Sequence, residues 1–166
     1  MDAMVPGGPI SRTSYAPLAA VVDLAPGAED NPVALELAEL VRANIAADPR
    51  KQADFRGIRG SVLMVAQDLG ESLTLRFDHG RLTIHDGTVG VPSVTFCGDF
   101  DALRSLAELP VLPVFRVPVP RAFGPEGRAA WKQVARLLAR GDLKIYGLMA
   151  HPRTVASLLR VFSRHR

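Results

Sequence analysis

One cysteine in 166 residues leaves no partner for an internal disulfide, which excludes a disulfide-stapled scaffold and agrees with a reducing compartment. Cys97 falls in an alternating apolar stretch, where the residue reads as a small core side chain rather than a reactive thiol. Long apolar runs are also missing: the longest falls far short of the roughly 20 residues that a membrane-spanning helix needs. The first residues lack the basic flank and compact apolar core of a secretory signal, although Leu18 to Val22 is a short apolar run. The expectation is therefore a cytoplasmic protein, with peripheral contact at a membrane left open. Motifs that carry chemistry are absent too. There is no Gly-rich phosphate loop and no His-Glu-x-x-His pair, and Ser61 follows Gly60 without the second glycine of a nucleophile elbow. His79, His85, His151 and His165 have no second His or Cys at ligand spacing, so neither a metal nor another cofactor is expected. Asp99 and Asp101 stand two apart at a helix start, where capping and the helix dipole account for both carboxylates without general acid–base work. No catalytic residue is expected, and the chain does not read as an enzyme.

What is present is a chain that is 48% hydrophobic and 22% charged, enough for one substantial core. Residues Ser72 to Leu106 organise it. Leu73, Leu75 and Phe77 alternate with Thr74 and Arg76, and after Asp78-His79-Gly80 the pattern resumes with Leu82 and Ile84. That is a half-buried hairpin with a three-residue connection. Val94 to Cys97 reads as another strand, and Asp99 as the cap of a helix reaching Leu109 with Phe100, Leu103, Leu106 and Ala107 inward. Upstream, Asn31-Pro32 opens a helix ending near Asp48-Pro49. A polar connection follows from Arg50 to Gly57, then a buried strand from Ser61 to Ala66 that should pair with the hairpin. Downstream, prolines at 110, 113, 118, 120 and 125 exclude both a helix and a central strand. This apolar segment reads as a loop packed over the core, with a lid or protein-docking surface as the alternative. A helix from Glu126 to Arg140 turns Ala130, Trp131, Val134, Leu137 and Leu138 to one side and stops at Gly141. A short strand, Leu143 to Gly147, and a helix from Arg153 to Phe162 close the chain. Residues 1–31 read as an extended arm and 32–166 as one domain. The expected class is α+β, a mainly antiparallel sheet covered on one face by helices.

Several of these segments carry a likeness. Val94-Thr95-Phe96-Cys97-Gly98 has the form V-T-F-x-G, the helix from Asp99 has the form D-x-x-A-L-x-x-L, and Gly141 to Gly147 has the form G-x-L-x-I-x-G followed by an apolar helix. In this order, over about half the chain, they resemble the sterol carrier protein type 2 (SCP2) lipid-binding domain family, with the Pro-rich segment and the Trp131 helix as an enlargement. The resemblance implies a five-stranded sheet with helices over it, and a cavity between the layers that binds or transfers a sterol, fatty acyl or prenyl lipid without chemical change. It also implies an alternative, since some bacterial relatives are accessory factors in ubiquinone biosynthesis that hold prenylated intermediates. A second alternative is a solidly packed interaction domain that meets a protein partner through residues 110–125. On the lipid-binding reading, the cavity wall would come from Val62, Met64, Phe77, Phe96, Leu148, Leu158, Leu159 and Phe162. Each is equally a plain core position, and a one-residue slip in register would invert the strand choices.

Charge is segregated along the chain. Residues 1–120 hold ten Lys/Arg against fifteen Asp/Glu, a balance of −5, whereas residues 121–166 hold ten against two, a balance of +8. Such an end attracts anionic partners. Trp131, Tyr146 and Phe162 are spaced as core residues and not as a base-stacking platform, which speaks against nucleic acid. The expected membrane-surface residues are Arg153, Arg160 and Arg164, on the polar side of the last helix.

Overall fold

A computed structural model describes residues 20–112, 119–120 and 125–165. It begins with strand β1 (Val21–Leu24), a single 3-10 turn and helix α1 (Pro32–Ala47). Pro32 occupies the first turn, and the Asn31 side chain accepts from the amides of Val33 (2.9 Å) and Ala34 (3.3 Å). The Asn31 amide nitrogen donates to Glu71 (2.9 Å) and Asp86 (2.8 Å), so one cap also pins the helix start to the sheet. The described part of the expected arm is thus integral to the domain: β1 pairs with a sheet strand, and Arg42 of α1 donates to the Val22 carbonyl at 2.7 Å.

Helix α2 (Pro49–Gly57) replaces the expected polar connection. Asp48-Pro49, which stops α1, also starts α2, with the Asp48 carboxylate accepting from the Arg50 amide at 2.8 Å. Only Phe55 and Lys51 are buried along α2, too few to register as an apolar stripe in the sequence. Phe55 meets Phe77 edge to face, with ring centroids 6.0 Å apart.

The sheet continues with β2 (Gly60–Ala66), β3 (Glu71–Asp78), β4 (Arg81–Asp86) and β5 (Val94–Gly98). After helix α3 (Phe100–Ser105) and a 3-10 turn come the two-residue strands β6 (Val111–Leu112) and β7 (Val119–Pro120), which pair with each other. Helix α4 (Pro125–Arg140), strand β8 (Leu143–Tyr146) and helix α5 (Pro152–Phe162) complete the chain. The main sheet has six strands in the order β1-β4-β3-β2-β5-β8 and is mixed. β1 with β4 and β2 with β5 are parallel; the remaining neighbours are antiparallel. The expected five strands become six because β1, in the segment read as an arm, joins the edge at β4.

The hairpin between β3 and β4 closes more tightly than expected. Asp78 pairs with Arg81, leaving only His79 and Gly80 in the loop, both at positive φ. This two-residue geometry matches the twist of the strands it joins. The register puts Val62, Met64, Leu73, Leu75, Phe77, Leu82, Ile84, Val94 and Phe96 on the helix-covered face. Cys97 consequently points the other way and is half-buried on the outer face, not in the core.

Two glycines of the sequence patterns have steric causes. A Cβ on Gly98 would lie 2.6 Å from the Asp142 carbonyl, and one on Gly147 would lie 2.3 Å from that of Ser93. Asp99 takes the cap position of α3 but makes no side-chain cap bond; instead Asp68, from the β2–β3 turn, accepts from the Phe100 amide at 2.8 Å. On α4, Val134 is buried and Trp131 donates to the Pro110 carbonyl at 3.2 Å, while Leu138, expected inward, is 43% exposed.

Candidate functional site

The apolar sides of α1, α3 and the sheet meet at a cleft near the C-terminal end of α5. Val33, Leu37 and Leu40 form one wall and Phe100 and Leu103 the other, over a floor of Met64 and Leu73 with Phe162 at the back. α1 can supply this wall because its apolar positions recur at helical spacing. The cleft has a volume of about 60 Å³, well below the roughly 300 Å³ at which ligand pockets usually begin.

Its mouth is charged. Glu36 of α1 reaches Arg104 of α3 at 3.3 Å and Arg164, just beyond α5, at 4.0 Å; Arg164 also pairs with Glu108 at 3.2 Å. Arg104 lies over the Phe100 ring, 5.6 Å from its centroid. These side chains are about half exposed, so each pair is worth at most about 1 kcal/mol and weakens with salt. The strap holding α1 against α3 is therefore light.

Of the residues expected to wall a cavity, Met64 and Phe162 line this cleft. Val62, Phe77, Phe96, Leu158 and Leu159 are buried elsewhere in the core, and Leu148 is 37% exposed on the loop after β8. Sequence reasoning left out the walls from α1 and α3. Their apolar spacing was visible, but which part of a helix stripe borders a gap depends on packing across the layers.

The expected basic face is also rearranged. Arg160 is 7% exposed and grips Asp54 of α2 with two bonds of 2.6 and 2.7 Å, so it is withdrawn from the surface. Arg164 belongs to the cleft mouth, and Arg153 is exposed. Arg128, Lys132, Arg136 and Arg140 recur every four residues on α4, all exposed and none in an ion pair among the described residues. Four residues advance a helix about 6 Å, so they form a ridge.

Asp99 and Asp101 are both exposed. Among the described residues no group of three His, Cys, Asp or Glu is placed to hold a metal, and no helix is long and apolar enough to cross a membrane. Much of the Pro-rich segment 110–125 lies outside the described residues.

The mixed sheet with its helices over one face is SCP2-like in fold by likeness to a solved structure. Among solved structures, the chain is similar to one described as "UbiJ-SCP2 Ubiquinone synthesis protein", with a TM-score of 0.50 and 14% sequence identity, over 75% of this chain and 87% of that one. No protein-family model matches the chain, and no curated protein does.

Proposed function

We propose that the protein is a non-catalytic lipid carrier that takes an acyl, prenyl or sterol chain into the cleft between α1, α3 and the sheet, with the ligand's polar end at Glu36, Arg104 and Arg164. The carrying observation is an apolar cleft between the layers with half-exposed ion pairs at its mouth. Because the cleft holds about 60 Å³, a lipid enters by parting α1 from α3, and the mouth pairs oppose this by about 1 kcal/mol each at most. Met64 and Phe162 contact the chain directly, while Val62, Phe77, Phe96, Leu158 and Leu159 back the layer behind them. The carrier meets an anionic bilayer through the α4 ridge and Arg153.

Native mass spectrometry followed by organic extraction tests the reading. A co-purifying lipid, or saturable micromolar binding of a fluorescent acyl, sterol or prenyl probe that weakens in Leu37→Gln, is the expected result. No lipid and no probe binding would overturn it and favour a solidly packed interaction domain. A narrower reading, an accessory role in quinone synthesis, draws support from the likeness to the UbiJ-SCP2 structure. It requires a prenyl quinone precursor among the extracted lipids and low quinone content in a deletion strain.

A further inference from the structure

The outer face of the sheet carries a second concavity that the cleft does not explain. Strands β4 and β5 run in the same direction but are separated by β3 and β2, so residues 87–93 must cross over both. They cross on the outer face and are tied down there. The buried Thr74 hydroxyl donates to the Gly87 carbonyl at 2.8 Å and accepts from the Val89 amide at 2.9 Å, and the Ser93 amide donates to the Ser61 carbonyl at 2.8 Å. Gly87 and Gly90, both at φ +72°, provide the turns that no β-carbon favours.

Beside this arch lies a basin of about 610 Å³. Arg76 borders it directly opposite Ser61, His85 stands opposite Thr74, and Arg59 sits at the entrance to β2. Directly opposed side chains on one face stand about 5 Å apart at their β-carbons, so these groups share one floor. Arg59 and Arg76 are exposed and have no ion pair or hydrogen bond among the described residues. The Ser61 hydroxyl is enclosed and has no hydrogen-bond partner there either. Asp78 is the acid at the rim, and its carboxylate is engaged by His79 at 2.6 Å. That hydrogen bond, then the charge of His79, and behind it those of Arg76 and Arg59, hold the Asp78 carboxyl below its ordinary range.

Unpaired guanidinium groups bordering one basin, with hydroxyls beside them, match an oxyanion that offers several acceptor oxygens. We propose that this basin is a second binding site, on the opposite face of the sheet from the cleft, for a small phosphate-bearing ligand. Arg59 and Arg76 neutralise the phosphoryl group, Ser61 and Ser93 lie beside it, and the Val89–Val91 arch covers the less polar remainder of the molecule. The site does not depend on the lipid-carrier reading.

Backbone amide resonances of the intact chain test it, titrated in parallel with inorganic phosphate and with glycerophosphoglycerol, the soluble headgroup of phosphatidylglycerol. Saturable shifts at Ser61, Arg76 and Gly90 are expected at millimolar concentration or below. The Arg59→Gln/Arg76→Gln double variant, altered only at exposed side chains, should keep its thermal midpoint and bind at least tenfold more weakly. Tighter binding of the headgroup than of phosphate identifies a lipid headgroup as the ligand's source, and equal binding identifies a free phosphate compound. Absence of saturable shifts with both probes, or shifts that persist undiminished in the double variant, overturns the proposal.

Discussion

Arg160 and Asp54 carry opposite charges across the α2–α5 contact, and the exposures of the pair, 8% and 24% for the side chains, set what it is worth. Removing one partner strands the other charge in a place that water reaches poorly, which typically costs 3–5 kcal/mol. Arg160→Ala should therefore lower unfolding stability by about 3 kcal/mol in urea titrations, the smaller end because Asp54 retains some access to water. Arg160→Lys should recover only part of the loss, since one ammonium cannot reproduce the paired bonds of a guanidinium fork. A loss below about 1 kcal/mol for the alanine variant would class the pair with ordinary surface pairs. None of this was legible in the sequence. Arg153, Arg160 and Arg164 look alike on the polar side of an amphipathic helix, and only the packing of α2 separates a buried anchor from an exposed cation and a mouth residue.

At the scale of elements, helix starts were read best where one short signal did one job and worst where it did two. Asn31-Pro32 announced α1, and its cap bonds are present. Asp48-Pro49 reads as a stop and is also a start, which conceals α2. The α3 start shows a third case, since Asp99 occupies the cap position while Asp68, thirty-two residues distant from Phe100, makes the bond. Replacing a capping side chain by Ala costs about 1 kcal/mol. Asp68→Ala should accordingly destabilise the protein by about that amount, whereas Asp99→Ala should cost only a few tenths. Chemical denaturation of the two variants decides it, and the reverse ranking would return the cap to Asp99. The existence of β2 to β5 and the pairing of β2 and β4 with β3 are legible because alternation and a tight turn mark them; the parallel pairing of β2 with β5 is not, and Cys97, which reads as core, faces outward. β1 is not legible either, because four residues after a proline-and-glycine stretch carry too little pattern to predict a parallel partner sixty residues away.

For the molecule as a whole, the sequence showed that basic charge collects in the last quarter but not on which surface. Among the described residues, folding takes Arg160 into the core and Arg164 into the cleft mouth and leaves the α4 ridge, Lys144 and Arg153 exposed. Each cation close to an anionic bilayer contributes about 1 kcal/mol, and the attraction decays over a Debye length of about 10 Å at 0.1 M salt and 3 Å at 1 M. Four ridge residues turned together toward the surface thus supply most of the attraction, and a lone Arg153 about a quarter as much as the ridge. In sedimentation with vesicles containing phosphatidylglycerol, changing Arg128, Lys132, Arg136 and Arg140 to Gln should reduce partitioning on the order of a thousandfold, and Arg153→Gln about fivefold. Wild-type binding should fall steeply between low and high salt. All five positions are exposed, so the variants should keep their thermal midpoints, and a loss of binding then reports charge rather than unfolding. Equal binding to phosphatidylcholine vesicles, or undiminished binding by the ridge variant, would remove the bilayer as the partner of this face and leave α4 a solvated helix.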